Sequence, residues 1–445
     1  MSDQSTERGP FGLELEMVPR GCALQPYTPV PVPAFQFRGE MIAYASPDST
    51  YAVTRRLIER ARRSILIGIY DFTAPYMRDL LIAAQGRGVR VSVMLDLDKR
   101  KGEPELWEDL KQAGIETVPA PSCASEHARY FASSHEKVII VDDEWTLVQS
   151  GNYSENSIPK NETDGGDPGA YVPGNRDMGV AVRSPELAAF LASVLRRDMQ
   201  LELDAALREL PALAPLAAEP LELLMEAPPQ PPPQLYPSRR FRPTSPVAVQ
   251  PVLSPENYMA LIPDLLAGAR QSIYIEQQYI RGYQPQIAIL LEAIGDARRR
   301  NPALSVRIVL AWPFEPNSNQ ERRSRAALTA AGLKAGQHVR YLNRTYFTHC
   351  HNKLIIVDRQ RVLVSSQNWS DAAVTRNREA GLLISYAPLA RYYGALFALD
   401  WRTAVRQGPD GTEAPAEAEL PFGSPGEAVP GTRLLPVSLG DYVEV

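Results

Sequence analysis

The sequence predicts a duplicated α/β protein with a mixed sheet in each half. Three observations lead there. Runs of β-type and helical pattern alternate in the same order twice along the 445 residues. A proline-dense block separates the two series. Each series also carries the same spaced set of polar residues on a hairpin.

The first series opens with a helical pattern, VTRRLIERARR (53–63), and a β-type run, SILIGIYDF (64–72). After another helical stretch come VRVSVMLDLD (89–98), a hairpin (133–154) and the short apolar strand MGVAV (178–182). The second series repeats this with YMALIPDLLAGAR (258–270), SIYIEQQYI (272–280), VRIVLAWP (306–313), a hairpin (348–370) and AGLLI (380–384). Internal repetition at this scale means that one supersecondary plan is used twice.

Proline marks the borders, because it fixes φ and removes a ladder donor. The chain has 40 prolines, roughly twice the usual ~5%. They set off a proline-rich arm (1–45), a first domain (46–205), a semi-rigid linker (206–247), a second domain (248–407) and a Gly/Pro/acid-rich tail (408–445). The last residues, TRLLPVSLGDYVEV, have the pattern of a docking strand.

Composition narrows the class. Forty-seven basic against 52 acidic residues give a net charge of −5, with 22% charged and 44% hydrophobic residues. Bulk binding of nucleic acid by charge is disfavoured by that balance. No apolar run reaches the ~18 residues of a membrane span, and the first twenty residues lack a secretory pattern. Cys22, Cys123 and Cys350 are too few and too scattered for a disulfide framework or a metal cage. The expectation is a cytoplasmic globular protein with no metal site and at most peripheral membrane contact. Since both halves lie in one chain, a monomer suffices.

Histidine and lysine are scarce, with five and seven residues, yet they recur together. Both hairpins contain H-x-K-x4-D, as His135/Lys137/Asp142 and His351/Lys353/Asp358. Composition makes that coincidence on the order of one in 100,000. In an extended strand, residues i and i+2 share a face, so each His stands beside its Lys. Two-residue turns at Asp143-Glu144 and Arg359-Gln360 would set Asn152 opposite His135 and Ser150 opposite Lys137. The second hairpin repeats this with Asn368 and Ser366. His349 shares a face with His351, and Cys350 alternates to the opposite one. Two imidazoles and two ammonium groups suit a phosphodiester, one histidine as nucleophile and the other as acid.

These features resemble the phospholipase D superfamily, which includes phospholipase D and cardiolipin synthase-like proteins. The resemblance rests on the two H-x-K-x4-D motifs, the S-x-N after each, the duplication and the run IYIEQQYI (273–280). It implies two α/β/α domains about a pseudo-two-fold, with the active site at their interface and phosphohistidine chemistry without cofactor or metal. By position, His135 is the implied nucleophile and His351 the acid. Lys137 and Lys353, with Asn152, Asn368, Ser150 and Ser366, are implied phosphate contacts. Asp142 and Asp358 are implied to be structural. Asp177 and Glu379, in the triplets N-R-D and N-R-E, match carboxylates that orient each histidine ring. The chain departs from the family pattern at Gln149 and Ser365, where glycine is usual. Asp177 is one methylene shorter than the usual Glu, which weakens the expected support of the first histidine. Residues 154–174 form an insertion without counterpart, read as a surface loop near the seam with the makings of a lid. The substrate expectation is a phospholipid, with water or an alcohol as acceptor. The alternative is DNA or RNA, engaged through local arginine clusters.

Overall fold

The computed structural model describes residues 22–97, 103–207 and 230–406. The expected tail, its terminal strand and linker residues 208–229 lie outside the described residues.

Two eight-stranded mixed sheets form the frame. The first runs in the order Glu116–Pro119, Arg90–Leu95, Ser64–Ile69, Val138–Val141, Trp145–Gln149, Asp177–Arg183, Met41–Ser46 and Arg239–Phe241. Its first three strands are parallel and the others antiparallel. The second sheet runs Val339–Tyr341, Ser305–Leu310, Ser272–Gln277, Lys353–Val357, Arg361–Ser365, Glu379–Ser385, Val247–Ser254 and Phe35–Phe37, with the same distribution of directions.

The outer edge strands are exchanged. Phe35–Phe37, from the N-terminal arm, completes the second sheet, while Arg239–Phe241, from the end of the linker, completes the first. Met41–Ser46 is a fully buried strand although it falls mostly within the expected arm. The arm and the linker therefore each contribute to the folded body.

Alternation along each motif strand divides its side chains between two cores. Val138 and Ile140 face a central cluster, together with Leu354 and Ile356 of the other half. Ile139 and Val141 face the outer helices of the first half, and Ile355 and Val357 those of the second. Helices Pro185–Leu207 and Ala387–Thr403 fill the space between the sheets, Leu191 and Leu396 among their central-core residues. Apolar burial on both faces explains the unbroken VIIV and LIIV runs.

Two expectations need correction. The hairpin loops are one residue longer than two-residue turns at 143–144 and 359–360, with three residues between the paired ends. Val141 pairs with Trp145 and Val357 with Arg361. Asp142 and Asp143, like Asp358 and Arg359, take left-handed φ between 55° and 57°. Glu144 N–H and Gln360 N–H close the turns onto Val141 and Val357, which leaves one extra residue before pairing resumes. Second, Cys22 and Cys123 form a disulfide across 101 residues of sequence. Gln25 N–H bonds to the Arg129 carbonyl, laying the arm along residues 123–131 and bringing the two cysteines together. Spacing in sequence does not report such an approach.

The 154–174 insertion is more deeply embedded than a surface loop. Ile158 and Asn161 are buried, Asn161 Nδ2 donates to the Pro47 and Val172 carbonyls, and Asp164 pairs with Arg56.

Candidate active site

Each H-x-K segment leaves its strand just before the interface and pairs with the N-R-D/E segment of the opposite half. His135 N–H donates to the Arg378 carbonyl and Arg378 N–H to Ser133. In the related place, Arg176 N–H donates to His349 and His351 N–H to Arg176. These crossed pairs put the two imidazoles face to edge, 6.5 Å between centroids. Both histidines are buried.

The same crossing reverses the expected support of the rings. His135 Nδ1 lies 2.9–3.0 Å from the Glu379 carboxylate, and His351 Nδ1 lies 3.0 Å from Asp177 Oδ1. Each histidine is oriented by the half to which it does not belong. The shorter Asp177 thus serves His351, not His135. Such a partner sets which ring nitrogen faces the gap.

Ser150 and Ser366, expected phosphate contacts, donate their hydroxyls to these carboxylates. Ser150 Oγ bonds to Asp177 Oδ1 at 2.6 Å, and Ser366 Oγ to Glu379 Oε2. Their backbone N–H groups pair with Met178 and Ala380, which fixes each hydroxyl beside the carboxylate strand. Lys137 and Lys353 each donate to the carbonyl of their own motif histidine, at 2.5 and 2.6 Å. Asn152 and Asn368 are buried, and the amide oxygen of each lacks a protein partner. Asp142 accepts from the backbone of Arg62, Arg63 and Ser64, and Asp358 from Arg270, Gln271 and Ser272. Both aspartates hold turns at the ends of the strands opposite the histidines.

The two supporting carboxylates differ electrostatically. Burial pushes Glu379 up to about 8, against the opposing pull of Lys137 and the Ser366 hydrogen bond. Burial also disfavours charge on Asp177, but His351, its hydrogen bond and Lys353 outweigh that and hold Asp177 below its ordinary value. Tyr70 packs edge-on against His135 at 4.6 Å, with Lys137 5.0 Å from the Tyr70 ring centre. His349 stacks on Phe314 at 4.9 Å, and burial, then the positive neighbours, push it down to about 3.

Sequence reasoning missed a layer behind these groups. Arg176 is fully buried, with Nε 2.9 Å from Asp400 and Nη1 3.5 Å from Asp48. Arg378 is buried against Asp198 and Glu256, at 2.7 and 2.6 Å. Burial opposes both charges, yet the paired carboxylates raise both guanidinium groups above their ordinary range. The repeated arginine in the N-R-D/E triplets was the available signal. Asn352 links Glu276 to Ser150, at 2.7 and 3.4 Å, a contact with no counterpart at Glu136. Among the described residues, no group of three or more His, Cys, Asp or Glu could hold a metal ion. No described helix is long and apolar enough to cross a membrane.

Comparison with known proteins adds the following. The family model described as cardiolipin synthase, PLD-like domain, matches residues 54–199 and again 262–401. The chain is 32% identical over 108 residues to a phospholipase D of Rickettsia prowazekii, covering 23% of this chain and 47% of that protein. It is 26% identical over 114 residues to a mitochondrial cardiolipin hydrolase of Xenopus tropicalis, covering 26% and 50%. The chain thus spans about half the length of these curated relatives. The solved structure of phosphatidylserine synthase from Haemophilus influenzae Rd KW20 shares the fold, with a TM-score of 0.54 at 14% identity, over 81% of this chain and 84% of that one.

Proposed function

We propose a function from one premise, that this chain belongs to the phospholipase D superfamily, its two domain matches together spanning well over half its length. The chain is a phosphodiesterase that transfers a phosphatidyl group from a phospholipid to water or an alcohol. The observation that carries this reading is the facing histidine pair, each ring anchored through Nδ1 to a carboxylate of the other half. With Nδ1 so held, Nε2 is the nitrogen left to react on each ring, and the 6.5 Å between ring centres is on the scale of one bridging phosphoryl group.

The chemistry follows in two steps. His135 Nε2 attacks phosphorus, the P–O bond to the leaving alcohol breaks, and His351 gives its proton to the departing oxygen. Water or an alcohol then attacks the phosphohistidine, passes its proton to His351, and the P–N bond breaks. Asp177, held below its ordinary value, fixes the tautomer and direction of the His351 ring. Lys137 and Lys353 place positive charge where the transition state gathers negative charge. The amides of Asn152 and Asn368 are positioned to complete their hydrogen bonding with the substrate's polar groups.

A phospholipid is favoured by the negative net charge and by the lipid substrates in the names of the matching family and relatives. The test is incubation with mixed phospholipids plus a short alcohol, and separately with single-stranded DNA and RNA. Phosphatidic acid or phosphatidyl alcohol that disappears in His135→Ala and His351→Ala supports the proposal. Oligonucleotide cleavage without lipid turnover replaces it with the nuclease reading.

A further inference from the structure

The N-terminal arm lies outside both family matches, at 54–199 and 262–401, yet it reaches the layer directly behind one histidine. Tyr27 sits on this arm, five residues after the disulfide at Cys22. Its hydroxyl accepts from Arg378 Nη2 at 2.5 Å and donates to Glu256 Oε1 at 2.7 Å. Its ring packs edge-on against Phe131 at 4.8 Å, and both rings lie against the Arg378 guanidinium.

A guanidinium has five N–H donors in a fixed fork. At Arg378, Nε and one Nη2 donor go to Asp198, while Nη1 serves Glu256 and the Ser254 carbonyl. Tyr27 takes the fifth. Arg378 in turn holds His135 twice. Its carbonyl accepts the His135 N–H at 2.7 Å, and the next residue, Glu379, holds the imidazole. Among the described residues, the related cluster at Arg176 has no hydrogen bond or ion pair with residues 22–40, and its Nη1 donates instead to the Ser46 carbonyl at the end of the Met41–Ser46 strand. There the backbone N–H of Tyr236, near the end of the linker, bonds to Asp48.

We propose that Tyr27 is a positioning residue for His135, kept in place by the Cys22–Cys123 staple, so that opening the disulfide loosens one histidine and spares the other. This rests on the reading of His135 as a reacting group. A dithiol reductant breaks the Sγ–Sγ bond and supplies two electrons and two protons, leaving thiols on Cys22 and Cys123 while the dithiol closes to its own disulfide. Cys350 is free and buried, so the staple is the one disulfide among the described residues for the reductant to open.

The test combines turnover of bis(4-nitrophenyl) phosphate with NMR titration of the histidine rings in full-length labelled protein, assigned with the His→Ala variants. Tyr27→Phe keeps the ring packing and removes both hydroxyl bonds. The expected result is a moved His135 titration beside an unmoved His351 titration. Alongside it kcat falls about tenfold, as loss of a hydrogen bond to a charged group implies, at nearly constant KM. Reduction of the wild type shifts His135 in the same direction and reoxidation restores it. Cys22→Ser shows that shift permanently and ignores the reductant. A folded Tyr27→Phe with wild-type His135 titration and kcat overturns the proposal. If Tyr27→Phe does not fold, unchanged His135 signals in both Cys22→Ser and the reduced wild type overturn it instead. Absence of diester turnover in the wild type refutes the functional reading, while the NMR arm still decides the role of Tyr27.

Discussion

Replacing Ser366 by alanine gives a sharp test of the electrostatic asymmetry between the two histidine supports. The Ser366 hydroxyl donates to Glu379, whose carboxyl burial has pushed up to about 8. In the proposed mechanism, attack by His135 requires Glu379 ionised and accepting from Nδ1–H, so Nε2 keeps its lone pair. At pH 7 a carboxyl titrating near 8 is ionised in roughly one molecule in ten. A hydrogen bond to a charged group contributes about 1.5–3 kcal/mol, and ~1.4 kcal/mol corresponds to one pH unit. Asn377 and Lys137 still favour the carboxylate after the substitution, so the lower end applies. The acid limb of the pH–rate profile therefore moves up by about one pH unit. Activity at pH 7 falls about tenfold, and that loss closes at alkaline pH. Ser150→Ala removes the matching bond from Asp177. Asp177 starts below its ordinary value, stays ionised through neutrality, and leaves the acid limb where it was. The assay is kcat/KM on a chromogenic diester from pH 5 to 10 for both variants. Equal, pH-independent losses in the two, or an unmoved limb in Ser366→Ala, would refute the reasoning.

Three further expectations concern the same framework. With a 4-nitrophenyl diester, whose leaving group needs no acid, His351→Ala gives a burst of nitrophenolate and a covalently labelled protein; His135→Ala gives neither, and a burst from His135→Ala would exchange the two roles. Asp142→Ala strips three backbone N–H groups of their acceptor; thermal melting should show a loss of about 2–4 kcal/mol, while kcat of the folded fraction stays at the wild-type value. Arg176→Met leaves Asp48 and Asp400 buried without their cation, a cost of about 3–5 kcal/mol. Burial already raises Asp48 to about 6 with Arg176 present. Removal of the cation raises it further, so stability in this variant is retained at low pH and lost as pH rises through that midpoint, the direction that denaturant titrations at several pH values can check.

How much of this could be read beforehand varied with the kind of information a residue carries. The duplicated α/β plan and both motifs were legible because apolar runs and scarce residues repeat: VIIV and LIIV, His135/Lys137 and His351/Lys353. The hairpin register was not, since it depends on two consecutive left-handed residues, Asp142-Asp143 and Asp358-Arg359. Neither pair contains the glycine that usually signals such a turn. The partners of Arg176 and Arg378 were missed for a different reason. Asp48 and Glu256 each follow Ser-Pro, and Asp198 and Asp400 each lie 22 residues after a triplet arginine, but Arg176 takes Asp400 and Arg378 takes Asp198, across the halves. Only the fold assembles them.

The crossed carboxylates carry the most consequence. A sequence written in two repeats invites the view that each half builds half a site, His135 with Asp177 and His351 with Glu379. Instead the segments that bear the histidines pair with those that lead into the opposite carboxylates, through six backbone hydrogen bonds across the interface. Neither histidine is oriented, and neither arginine cluster is complete, inside one half. Arg378 needs Asp198 and Arg176 needs Asp400, each from the other domain. The exchanged edge strands extend the same interlock to the sheets. Docking of the halves is therefore a condition for having a reactive imidazole at all, because an unsupported ring lacks both its tautomer and its direction. Duplication within one chain keeps the two halves at high effective concentration, and it lets them diverge: one carboxylate stays ionised beside one histidine, while the other is held near the point of titration.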